Sequence, residues 1–317
     1  MSAEPKASDI PSREELWREL TAAYAAGCPA PLRVLLAVDG SEEAGAAQHL
    51  LSMLPLLPGS SIHLATVLDA PAWQVPVSLR GAEQEWAEKV IERARAALAR
   101  EGLEITASTP RGAPANEILA AARESGAELI VLGSRGKKGV EGFLLGSIAR
   151  NVAQHARVPV LVAREPVRSL ASIVVAVDDS DHADHAVRLA ARLPLPADAR
   201  ITVVHVLRPY EPYAAAAGAE ILSGLGTIIE DVRREQREEA ARLIEGAHNR
   251  LARCGREAHL VVREGDPAQE LLLVAEEEQA DLIIAGARGI SVIEGLLVGS
   301  VADRLLKDAN CSVLLTH

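Results

Sequence analysis

From residue 33 to residue 163, short apolar runs alternate with longer amphipathic ones. The apolar runs at 33–38, 62–68, 103–108, 128–132 and 158–163 predict strands. The segments at 42–53, 82–100, 114–125 and 147–155 space their apolar residues at the helical period and predict helices. Strands of this kind need cover on both faces, and helices between them supply it. The expected fold is α/β, with a doubly wound parallel sheet. Such sheets take their ligands at the carboxyl ends of the strands, where the strand order switches.

The pattern then runs a second time. "VLLAVDGSEEA" (34–44) returns as "IVVAVDDSDHA" (173–183), and "SIHLATVLDAP" (61–71) as "RITVVHVLRPY" (200–210). "AELIVLGSRG" (127–136) returns as "ADLIIAGARG" (280–289), and "GSIARNVAQHARVPVLVA" (146–163) as "GSVADRLLKDANCSVLLT" (299–316). Gly112 in "RGAPANEILAAA" answers Gly265 in "REGDPAQELLLV". Internal repetition on this scale means two copies of one folding unit. The expected domains are 31–165 and 169–317, each with five strands, preceded by an extension at 1–30. In that extension Ser12 and Glu15 form a capping box that opens a helix to about Ala26.

The spacing between copies locates an insertion. Asp39 and Asp178 lie 139 residues apart, but Gly102 and Gly255, like Gly133 and Gly286, lie 153 apart. The second copy therefore carries 14 extra residues between about 210 and 254. That stretch reads as one long amphipathic helix, with Glu230/Arg234 and Glu238/Arg242 at i,i+4 spacing. A solvated charged helix is the plain reading of it, and a partner-binding arm the alternative.

Charge and cysteine content narrow the function. The net charge of −11 argues against nucleic acid or an anionic membrane as the main partner. The N-terminus is polar and acidic, and no apolar run reaches membrane-spanning length. The odd count of three cysteines, Cys28, Cys254 and Cys311, suits no disulfide framework. A cytoplasmic, reducing location is the expectation.

The candidate chemistry lies in "GSRGKKGVEGFLLGSIAR" (133–150). Gly133 and Gly136 follow a predicted strand, and Gly146 and Ser147 open a predicted helix. Glycines allow close backbone approach, and a helix N-terminus with free N–H groups favours an anion. Arg135, Lys137 and Lys138 add positive charge. The second copy repeats the spacing at Gly286, Gly289, Gly299 and Ser300, with Arg288 inside the loop but Ile290 and Ser291 in place of the lysines. No Walker loop is present, and the first βα turn, "DGSEEAG", is not a dinucleotide fingerprint.

With these doubled glycine loops, the two "AVD" turns, and the closing "VPVLV" and "CSVLL" strands, the chain resembles the universal stress protein family in its tandem two-domain form, over about 30–317. The resemblance implies the strand order 3-2-1-4-5 in each copy, a Rossmann-like or flavodoxin-like arrangement. It also implies one adenine-nucleotide site per copy. Asp39 and Asp178 would contact the nucleoside, and the backbone at Val67 and Val206 would lie against adenine. Gly133, Gly136, Gly146 and Ser147, then Gly286, Gly289, Gly299 and Ser300, would wrap the phosphates, with Arg135 and Arg288 beside them. The implied ligand is ATP, with Mg²⁺ left open as its companion. An aspartate suits ribose hydroxyls and would repel phosphate, so the physics agrees with its place. The lysines favour the first site for a triphosphate. The last strands, 158–163 and 312–316, are expected to pair as a pseudo-dimer within the chain, with a homodimer of whole chains as a weaker expectation.

The resulting expectation is a nucleotide-dependent stress-response regulator. Slow ATP hydrolysis and a nucleotide-free scaffold remain as alternatives; no residue presents itself as a dedicated water-activating base. The acid- and histidine-rich stretch "DDSDHADH" (178–185) matches no metal spacing, and its aspartates suit a helix start. His63, His155, Cys254 and Cys311 read as structural or incidental.

Overall fold

The computed structural model describes residues 29–69, 76–136, 145–208, 219–289 and 298–317. The proposed helix at 12–26 lies outside these residues, as do Lys137, Lys138, Ile290 and Ser291. The first half runs β1 (Arg33–Ala37), α1 (Glu42–Met53), β2 (Ser61–Ala65), α2 (Val77–Leu98), β3 (Glu104–Ser108), α3 (Pro114–Glu124), β4 (Leu129–Gly133), α4 (Ser147–His155) and β5 (Val160–Ala163). The second half repeats it: β6 (Ser172–Val177), α5 (Asp181–Arg192), β7 (Arg200–Leu207), α6 (Ala219–Ala252), β8 (Ala258–Glu264), α7 (Pro267–Glu277), β9 (Leu282–Gly286), α8 (Ser300–Asp308) and β10 (Ser312–Thr316).

Local chemistry explains the boundaries. Ser41 and Ser180 cap α1 and α5 by accepting from the N–H of Ala44 and Ala183. Pro114 and Pro267 sit in the first turns of α3 and α7, where a missing N–H costs nothing. The turn after α3 uses Gly126 at φ 62°, and the matching turn after α7 places Gln279 at φ 49°. A side chain in that region is strained, so the second copy bears a local cost that the first avoids.

All ten strands form one sheet in the order β3-β2-β1-β4-β5-β10-β9-β6-β7-β8. Each half therefore has the 3-2-1-4-5 order. Every neighbouring pair is parallel except β5 and β10, which run antiparallel. Leu161 lies opposite Leu314, with Val162 opposite Val313 and Val160 opposite Leu315. Leu161 and Leu314 are counterparts in the repeat, so an approximate two-fold axis passes between them. The expected pairing of the last strands is thus present within the chain. Across this seam Arg164 donates to the carbonyls of Leu306 and Lys307.

The side chains of each strand alternate between two cores. One contains Leu36, Leu51, Ile91, Val175, Ala190 and Leu251, beneath α1, α2, α5 and α6. The other contains Leu35, Ile118, Val152, Val174, Leu271 and Leu305, beneath α3, α4, α7 and α8. Both cores continue through the two halves. Among the described residues no helix is long and apolar enough to cross a membrane.

Two expectations change. Cys254 is disulfide-bonded, so the reading of three thiols without a disulfide is corrected. Cys311 is free, and Cys28 lies outside the described residues. The inserted helix is not merely a solvated feature either. Val77, which begins α2, has its counterpart at Glu230, and α6 runs back from there to Ala219. Farther along, α6 packs Ile244, Ala247 and Leu251 into the core and walls a cavity described below.

Candidate functional site

In each half the carboxyl end of the first strand delivers an aspartate to the turn before a helix. Asp39 Oδ1 accepts from the Ser41 N–H at 3.0 Å and from its hydroxyl at 2.5 Å. Asp178 repeats this with the N–H of Ser180 at 3.1 Å and its hydroxyl. One serine therefore orients the aspartate and caps the helix. The second carboxylate oxygen faces the glycine loop. A Cβ on Gly136 would lie 2.8 Å from Asp39 Oδ2, and one on Gly289 would lie 2.6 Å from Asp178 Oδ2. Only glycine brings the loop backbone so close to the carboxylate.

The roots of the loops are equally tight. A Cβ on Gly133 would meet the Glu43 carbonyl oxygen at 2.4 Å, and one on Gly286 would meet His182 Cβ at 2.8 Å. The returning ends are pinned by backbone bonds, Gly146 N–H to the Ser134 carbonyl and Gly299 N–H to the Ala287 carbonyl, both 2.7 Å. Gly146 and Gly299 are the N-caps of α4 and α8, and neither helix has a side-chain cap bond. The first-turn N–H groups have no intrahelical acceptors, so both helix starts present donors to an anion. Ser147 and Ser300 are exposed at these starts.

The sequence-selected residues of the second half converge. Asp178, Val206, Gly286, Arg288, Gly289, Gly299 and Ser300 all line one cavity of about 450 Å³. That volume suits a ligand of nucleotide size. Asp39, Gly133, Arg135, Gly136, Gly146 and Ser147 hold the corresponding places in the first half. Val67 lies two residues past the end of β2, whereas Val206 is still within β7, paired with Arg263.

Several lining residues were not selected from sequence. His205, which lines the cavity, donates from Nδ1 to the Val177 carbonyl, 2.9 Å away. Gln236, Glu239 and Leu243 of α6 and Pro267 and Leu271 of α7 complete the wall. Alignment of the halves could have flagged α6, because Glu239 stands where the first half has Trp86.

Charge differs between the two loop roots. Arg135 forms an ion pair with Glu43 at 2.8 Å. The counterpart of Glu43 is His182, whose basicity is lowered by burial, then by Arg288 and by His185. His317 is pushed down to about 4, again chiefly by burial and then by His182 and Arg288. Asp181, early in α5, raises His182, but less. Among the described residues no group of three or more His, Cys, Asp or Glu side chains is arranged to hold a metal ion. His63 is held between Thr106 and Ser108, and burial pushes the Cys311 thiol up to about 12, far from nucleophilic.

Comparison with known proteins agrees with this architecture. The family model described as the universal stress protein family matches residues 32–164 and again 170–317. Universal stress protein YxiE of Bacillus subtilis is 30% identical over 149 residues, covering 46% of this chain and 97% of its own length. Universal stress protein Rv1636 of Mycobacterium tuberculosis is 33% identical over 150 residues, covering 46% and 95%. The crystal structure of a universal stress protein from Archaeoglobus fulgidus superposes with a TM-score of 0.61 at 20% identity, covering 90% of this chain and 97% of that one.

Proposed function

The chain belongs to the universal stress protein family, and from that premise we propose that it is an ATP-binding regulator with one adenine-nucleotide site in each half. The observation that carries this reading is a convergence found twice. An aspartate at a strand end, glycines of the next loop and an uncapped helix start close on one space, and in the second half that space is a cavity of about 450 Å³. The aspartates would accept from ribose hydroxyls, and the helix-start N–H groups with Ser147 and Ser300 would donate to phosphate oxygens. Val67 and Val206 would flank the base. Arg135 and Arg288 would assist at the phosphates, the first of them while shared with Glu43.

The binding units are 31–165 and 169–317. Lys137 and Lys138 favour the first for a triphosphate at neutral pH. Nucleotide occupancy would act on partners in the cytoplasm by changing the shape of the loops, which is a regulator's output. Mg²⁺ would accompany the phosphates as part of the ligand.

Gly146→Asp and Gly299→Asp test this cleanly. Both glycines have ordinary extended backbone, φ −74° and −72°, and aspartate is a favoured N-cap there. A Cβ on Gly299 meets nothing nearer than 3.5 Å, while one on Gly146 lies 3.2 Å from the Ser134 carbonyl oxygen and needs a shift of a few tenths of an ångström; both variants should fold while their carboxylates occupy the N–H groups meant for phosphate. Calorimetry with ATP should give two sites in the parent protein, one in each single variant and none in the double variant. A parent protein that binds no ATP, or a double variant that binds it as well as the parent, overturns the proposal.

A further inference from the structure

Glu43 and His182 occupy the same place at the two loop roots. Each packs its Cβ where a Cβ on the strand-end glycine would come within 2.8 Å, Gly133 for Glu43 and Gly286 for His182. Each also adjoins the loop arginine, Arg135 in an ion pair with Glu43 and Arg288 close enough to act on His182. Resting on the nucleotide reading above, we propose that this position sets how each site responds to acid: His182 makes the second site gain affinity for phosphate as pH falls, and Glu43 leaves the first without that gain.

The argument is one of charge. In the first half the Glu43 carboxylate is ion-paired with Arg135 and offsets its charge. At the upper end of the range from pH 7.5 to 5.5 His182 is neutral, and there it leaves the charge of Arg288 unchanged. Protonated, it places a second positive charge at the root of the loop that ends at Gly299. The groups facing it come from three elements: Asp181 and His185 on α5, Arg288 after β9, and His317 after β10. Thr316, on β10, donates its hydroxyl to the His182 carbonyl at 2.8 Å and holds this residue against the strand end. Of these neighbours, His317 stays neutral down to about 4, so it does not compete for the proton in this range. A phosphate at the loop lowers the electrostatic cost of charging His182, and the same coupling makes protonation favour the phosphate. The site balance therefore tips toward the second half on acidification.

Full-length Gly146→Asp protein reports the second site alone, and Gly299→Asp protein the first. ATP affinity of each is measured by calorimetry at pH 7.5 and 5.5. The ratio of second-site to first-site affinity cancels the titration of ATP itself. That ratio should rise on acidification by less than the about fivefold effect of one full added charge near a partly solvated phosphate, because burial and Arg288 hold down the basicity of His182. His182→Gln in the second-site protein should abolish the rise, and Glu43→His in the first-site protein should create one. A ratio unchanged by pH, or a rise that survives His182→Gln, overturns the inference while leaving nucleotide binding intact. Failure of both single-site proteins to bind ATP at either pH overturns the nucleotide reading and this inference together.

Discussion

At the carboxyl end of β4 there is room for a hydrogen and no more. A Cβ at Gly133 would stand 2.4 Å from the Glu43 carbonyl oxygen and 2.5 Å from its carbonyl carbon, which are backbone atoms with little freedom to move. Gly133→Ala should therefore cost about 2 kcal/mol or more, in the range of other overpacking changes. Gly45, within α1, is the control, since a Cβ there meets nothing within 4 Å. Gly45→Ala should stabilise by about 0.5–1 kcal/mol through helix propensity. Urea midpoints measure both, and a Gly133→Ala protein as stable as its parent would refute the packing argument. At this scale the repeat singled out the loop glycines, and the family resemblance pointed to Asp39 and Asp178. It did not disclose that Glu43 holds Arg135, because an ion pair between a helix and a distant loop leaves no local pattern. Glu43 looked like any acid in a first helical turn.

At the scale of elements, one serine in each half does two tasks. Ser41 and Ser180 cap α1 and α5 and hold Asp39 and Asp178 by hydroxyl and N–H. Ser41→Ala and Ser180→Ala should each cost about 1 kcal/mol in folding stability from the lost cap. The two lie in different halves without shared partners, so the double variant should show the sum within about 0.5 kcal/mol. Chemical denaturation of the three variants decides this, and a strongly subadditive double would indicate a link that the contacts do not contain. Element positions followed closely from periodicity: α1 and α4 start and end at the predicted residues, 42–53 and 147–155. The start of α2 did not. It begins at Val77 rather than near 82, because Val77-Ser78-Leu79-Arg80 alternates apolar and polar residues and Gly81 follows, so no helical period shows there.

At the scale of the molecule, the seam between β5 and β10 makes the two halves one body. Leu161 and Leu314 meet there, both in the core that runs through both halves. Farther out, Arg150 of α4 pairs with Asp303 of α8 at 2.9 Å. These two are counterparts in the repeat, so identical copies would set like charges against each other at this point. The tandem chain has opposite charges instead. The pair is partly exposed and contributes modestly to stability, but it favours the intrachain pairing over a meeting of two identical halves. The chain should therefore unfold in a single calorimetric transition with matching calorimetric and van't Hoff enthalpies. Leu314→Asp, which puts a carboxylate into the seam, should split that transition or lower it sharply. Two separate transitions in the parent protein would contradict the shared core.

Sequence alone determined what is periodic or repeated: the alternation of strands and helices, the two copies, the insertion and the doubled glycine loops. These are carried by the spacing of side chains along the chain, where 2-residue and 3.6-residue periods are visible without folding. Tertiary structure decided what depends on which segments meet. It placed α6 against the second cavity, set Glu43 and His182 at the two loop roots, and joined β5 to β10 in one ten-stranded sheet. Such contacts join residues far apart along the chain, 90 positions for Glu43 and Gly133 and 153 for Leu161 and Leu314, and their energies depend on distance in space rather than in sequence.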